Sequence, residues 1–144
     1  MHHHGYLWVG PKADFDCEAL RRPPCHEPPS VAAATEFTTV DLPPIETAYW
    51  LIKPRALVRG TWNEPKEAAC WLGERLAEYA PRFASEADRD TAYLARLVDR
   101  AAERLRGGAD TSYGFYLGRP SYLSLAAVTC SPNRSRPELA CPVA

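Results

Sequence analysis

The strongest pattern along the chain is a helical period in its middle. Between Pro65 and Phe83, the residues Ala69, Leu72, Leu76, Tyr79, Ala80 and Phe83 fall on one face. Asn63 is placed to cap this helix, and Pro65 sits in the first turn, where its missing N–H is harmless. Pro81 should end or kink it. A second helix follows, with Ala87, Leu94, Leu97, Val98, Ala101 and Leu105 as its apolar stripe. Ser85 with Asp88 three residues on imitates a capping box, and Gly107-Gly108 supplies a left-handed stop.

On either side the pattern changes. "EFTTVDL" (36–42) is rich in β-branched residues and is stopped by Pro43 and Pro44, so it reads as a strand. "TAYWLIKPRALVRG" reads as a second strand, bent at Pro54. "TSYGFYLGRPSYLSLAAVTC" reads as a hairpin, with strands at 112–117 and 122–130 joined by Gly118-Arg119-Pro120-Ser121. Residues 1–34 read as an arm, because "RRPPCHEPPS" places four prolines in ten residues, which excludes a helix or a central strand there. Within the arm, "YLWV" suits a short strand laid on a sheet edge. The segment 131–144 has three prolines and no period, so an irregular tail is expected.

Together these elements predict an α+β fold in a single domain, 1–144: arm 1–34, core 35–130, tail 131–144. The sheet is expected to be mostly antiparallel with about four strands, in the order β-β-α-α-β-β, its two amphipathic helices packed on one face. That class hosts many unrelated functions.

Composition narrows the classes further. Apolar residues make up 46% and charged residues 24% of 144, as in ordinary globular chains. A net charge of -1 provides no long-range attraction for nucleic acid or an anionic membrane. The arginines Arg89, Arg96, Arg100 and Arg104, with Tyr93 at their margin, share a helix side with Asp88, Asp99 and Glu103, which neutralise them. No apolar stretch reaches the ~18 to 20 residues of a membrane helix, and no export signal is visible, so a cytoplasmic protein with mostly reduced thiols is expected. Arginine far outnumbers lysine, present only as Lys12, Lys53 and Lys66, and with abundant Ala and Pro this suggests a GC-rich bacterial genome.

All the histidines and two of the five cysteines lie in the first 26 residues, which draws attention to metals. In "MHHH", a free amine, two amides and the imidazole of His3 could wrap Cu(II) or Ni(II) in a square plane, with His2 and His4 beside it. The plainer reading is a cloning remnant or a polar terminus. A second set is Cys17, Cys25 and His26, joined by Cys130 and Cys141 if the two ends of the chain meet. Thiolates and imidazoles suit zinc, although Cys17 and Cys25 lack the tight knuckle spacing of structural sites.

Other chemistry is sparser. Cys70 lies off its helix's apolar stripe but has no histidine near it in sequence. Asp110, Tyr113 and Arg119 form a conceivable polar set for a small enzyme with a pocket between sheet and helices. No phosphate loop, nucleophile elbow or dinucleotide fingerprint is present. The aromatics do concentrate: Tyr113, Tyr116 and Tyr122 surround the turn bearing Arg119, and Trp62 could join them as a contact surface. The sequence therefore points first to a small accessory or regulatory protein that binds a protein or small-molecule partner. A zinc- or copper-binding protein is the alternative, and a small enzyme the third.

Overall fold

A computed structural model describes residues 1–24 and 31–144 of the chain. It is an α+β fold built on a four-stranded antiparallel sheet of order β2-β1-β4-β3. The strands are β1 (His2–Pro11), β2 (Gly60–Trp62), β3 (Thr111–Tyr116) and β4 (Ser121–Cys130); the helices are α1 (Lys12–Phe15), α2 (Val31–Thr39), α3 (Pro65–Tyr79) and α4 (Thr91–Arg106). Among the described residues, no helix is long and apolar enough to cross a membrane.

Three stretches fold differently from the sequence expectation. The segment expected to be an arm carries β1, a central strand paired over its full length with β4 and at its start with β2. Its apolar run "YLWV" does not alternate with polar residues because both faces of a central strand are covered, which removes the period-2 signal. Conversely, 36–42 is not a strand: α2 occupies it through Thr39, and Thr38 and Thr39 donate their hydroxyls to carbonyls of Ala34 and Thr35 in the preceding turn. Nor is 47–60 a strand over its length: Thr47–Ile52 and Arg55–Leu57 form 3-10 turns, and only Gly60 at its end enters β2.

The helices and the hairpin stand close to their expected bounds. α3 begins at Pro65, with Glu64 rather than the expected Asn63 at its N-cap and no side-chain cap bond, and it buries Ala68, Ala69, Leu72 and Leu76. α4 is capped by Asp90, whose carboxylate accepts from the Tyr93 N–H, rather than by Ser85, because Ala87–Arg89 forms a separate 3-10 turn. Gly108 closes α4 with φ of 83°, the left-handed conformation that favours glycine.

Strand alternation divides the sheet into two faces. Leu123, Leu125 and Ala127 pack with the stripes of α3 and α4, together with Phe83, Phe115 and Leu117. On this face Gly5 lies under the Trp71 ring, where a Cβ would come within 2.8 Å of ring carbon, so β1 and α3 approach closely only with glycine there. The opposite face carries Tyr6, Ala126, Val128 and Cys130, covered by Trp50 and Leu51 from a 3-10 turn and by Leu139 and Cys141.

The irregular cover is held by polar anchors. The buried Lys53 ammonium donates to the carbonyls of Phe37 and Val40 at the end of α2, at 2.7 and 2.9 Å. Burial pulls its pKa down to about 8, against the attraction of Asp41. The fully buried Asn133 donates to both Asp110 oxygens and to the Thr129 carbonyl, while its own oxygen accepts from the N–H groups of Ser135 and Arg136. Arg136 then makes a bidentate pair with Glu46 at 2.8 and 3.0 Å.

Candidate metal centre

Register builds the site. In the antiparallel pair β1·β4, His2 stands opposite Cys130, His3 opposite Thr129 and His4 opposite Val128. Alternation puts His2, His4 and Cys130 on the irregularly covered face and His3 on the helix face. The polypeptide beyond β4, anchored through Asn133 and Arg136, brings Cys141 back over that first face. One ligand atom from each of His2, His4, Cys130 and Cys141 then lies within 4.8 Å of every other.

The distances have a definite chemical meaning. His2 Nδ1 lies 3.8 Å from Cys130 Sγ and 3.7 Å from Cys141 Sγ. His4 Nε2 lies 3.6 Å from Cys141 Sγ and 3.0 Å from Cys130 Sγ. A tetrahedral zinc ion, with bonds of about 2.3 Å to sulfur and about 2.0 to 2.1 Å to nitrogen, separates its sulfur and nitrogen ligands by about 3.6 Å. Three of the four nitrogen–sulfur edges, at 3.6, 3.7 and 3.8 Å, are already close to that length. The fourth is a hydrogen-bond contact between thiol and imidazole that opens by about half an ångström when an ion enters.

The ring nitrogens are correctly presented. His4 Nδ1 lies 2.9 Å from Thr61 Oγ1 on β2, and assigning the proton to Nδ1, which then donates to Thr61, leaves the Nε2 lone pair facing the sulfurs. Burial, with His2 and His3 adding to it, holds His4 down at about 4, so its imidazole is neutral at pH 7. Burial pushes the Cys130 thiol up, so without an ion it stays protonated and a metal must displace that proton. Next on the same face, Tyr6 stacks on Trp50 at 4.6 Å, and both rings are buried in one cluster with Cys130.

The fold thus selects among the residues that the sequence offered. His2 and His4 are brought together, and Cys130 and Cys141 join them from the far end of the chain. His3 is not in the set: it is buried on the opposite face with Nδ1 2.9 Å from Thr129 Oγ1, which removes the square-planar arrangement around it. Cys17 is exposed after α1 and donates to the Ala13 carbonyl, away from the cluster. Cys25 and His26 lie outside the described residues. A His-x-His pair on one strand face was the local signal for the site, legible only once residues 2–11 are taken as a strand.

The other candidate residues do not converge. Asp110 is tied to Asn133 and the Thr129 N–H, and the Tyr113 hydroxyl donates to the Leu97 carbonyl at 2.8 Å under α4. Arg119 sits in the hairpin turn beyond the other end of β3, so these three share no pocket. Cys70 is exposed, and its thiol donates to Glu74 at 3.8 Å instead of meeting an imidazole. Trp62 packs with Trp71 beside the start of β1, whereas Tyr116 and Tyr122 meet edge-on at 5.1 Å at the hairpin end. Only the latter pair and Arg119 remain together. Tyr116 is 56% exposed, and it and Arg119 line a cleft of about 680 Å³ with Lys12 and Leu117.

No protein-family model, curated protein or solved structure matches this chain.

Proposed function

We propose that the chain is a zinc-binding protein whose ion is held by His2, His4, Cys130 and Cys141. The observation that carries this reading is the closure of four donors from three separate stretches of chain to within 4.8 Å, with three of the four nitrogen–sulfur edges near tetrahedral length. Two thiolates and two imidazoles favour zinc over the hard, oxygen-seeking cations. Four protein ligands fill a tetrahedron and leave no open position, so the ion is structural and not a Lewis acid. Its work is to fasten the ends of β1 and β4 to the segment bearing Cys141, closing the irregular face of the sheet. The test is titration of metal-free protein with zinc, followed by elemental analysis. One zinc per chain is expected, lost in His4→Ala and Cys130→Ser and retained in His3→Ala and Cys17→Ser. Retention in the first two variants would overturn the assignment.

A second reading, binding of a small-molecule partner, is favoured by the exposed Tyr116 at the mouth of the hairpin cleft. A fragment screen by NMR should then concentrate shifts at Tyr116, Leu117 and Arg119 and lose them in Tyr116→Ala. Shifts scattered over the whole surface would remove this reading.

A further inference from the structure

Resting on the zinc reading, we propose that Cys130 and Cys141 also form a redox pair, in which a hydroperoxide converts the two metal-bound thiolates into a disulfide and releases the ion. The two sulfurs belong to one compact set, and they differ in the two respects that such a pair requires. Cys141 is partly exposed and lies outside any helix or strand, whereas Cys130 is 0% exposed at the end of β4. Access selects the first sulfur to react, and with Cys141 outside any helix or strand no regular element has to break for the sulfurs to close from within 4.8 Å to the roughly 2.05 Å of a disulfide.

The Cys141 thiolate attacks the outer oxygen of the hydroperoxide, forming a sulfenic acid and expelling an alkoxide that leaves as the alcohol, or as water when hydrogen peroxide is the oxidant. The Cys130 thiolate then attacks the sulfenic sulfur and expels hydroxide, which is protonated to water. Two thiolates are oxidised by two electrons, one hydroperoxide is reduced, and two protons from solvent are consumed. The ion keeps only the two imidazoles, which hold zinc poorly, and it departs. Among the described residues, the other two cysteines lack this arrangement: Cys17 bonds to a backbone carbonyl and Cys70 faces a carboxylate.

The experiment uses zinc-loaded full-length protein carrying Cys17→Ser, Cys25→Ser and Cys70→Ser, treated with hydrogen peroxide. Zinc release is read with a chromogenic chelator and the cysteines by peptide mass mapping. One zinc released per Cys130–Cys141 disulfide is expected, with zinc binding restored by a thiol reductant. Zinc retained until the sulfurs appear as sulfinic acids, or released without the disulfide, would overturn the proposal. In Cys130→Ser a sulfenic-acid trap should label Cys141, and in Cys141→Ser it should leave Cys130 largely unlabelled; the reverse would overturn the order of attack. If the triple-serine protein takes up no zinc, the metal reading fails and this proposal with it. Zinc taken up but no disulfide formed removes this proposal alone.

Discussion

On the helix side of the sheet, Leu123, Leu125 and Ala127 meet Leu72, Leu76, Leu97 and Leu105, two regular helices laying continuous apolar stripes on one surface. On the other side, Ala126, Val128 and Cys130 meet Trp50, Leu51 and the partly buried Leu139, supplied by 3-10 turns and by chain without regular structure. The first arrangement repeats its contacts at every helical turn, and the hydrophobic effect alone suffices to hold it. The second has few apolar side chains and relies on individual polar fastenings: Lys53 on the end of α2, Asn133 on Asp110, Arg136 on Glu46 and, in our account, zinc on four residues. Where a surface is covered by irregular chain, point anchors take the place of a repeating interface.

Withdrawing zinc should have the largest effect and should act on one face. With free zinc at a thousand times its dissociation constant, the ion contributes about 4 kcal/mol, and chelation should lower the melting temperature accordingly. Amide exchange should then rise first in 41–59 and 131–141, with α3 and α4 protected until global unfolding. Leu76→Ala breaks the other face. It should cost about 3 kcal/mol in chemical denaturation, and by the same amount with and without zinc. A larger cost in the zinc-free protein would mean that the two faces are not independent.

An effect of similar size tests the polar anchors by pH. The folded pKa of Lys53, about 8, lies below its ordinary 10.5, so between these values the unfolded chain binds more protons and stability should rise as pH increases. The rise, on the order of 3 kcal/mol across that window, should be present in the wild type and absent in Lys53→Met. Smallest is the loss of the Thr61 hydroxyl. Thr61→Val frees His4 to rotate and should weaken zinc binding about tenfold, or about 1.4 kcal/mol, with little change in metal-free stability. An unchanged zinc affinity would mean that the strand backbone alone orients His4.

The helix side was also the legible side. Its periods, the proline start of α3, the glycine stop of α4 and the hairpin follow from local rules, and the structure departs from them in both helix caps, where Glu64 stands in place of Asn63 and Asp90 in place of Ser85. The irregular side was misread at β1, α2 and the 3-10 turns. A central strand buried on both faces has no alternation, and β-branched residues enter a helix when Lys53 caps its end from a distant position. The metal centre was half visible. The histidines and the possible return of Cys130 and Cys141 could be named, but choosing His2 and His4 over His3 requires the register of β1 on β4, a long-range property that no local spacing contains. Cys17 entered the candidate set only through its nearness in sequence.

X-ray absorption at the zinc edge of the loaded full-length protein tests the central claim most directly. Two sulfur ligands at about 2.3 Å and two imidazole nitrogens at about 2.0 to 2.1 Å are expected, with one sulfur lost in Cys141→Ser. A shell of nitrogen and oxygen alone, or a spectrum unchanged in Cys141→Ser, would contradict the assignment of His2, His4, Cys130 and Cys141 as the metal centre.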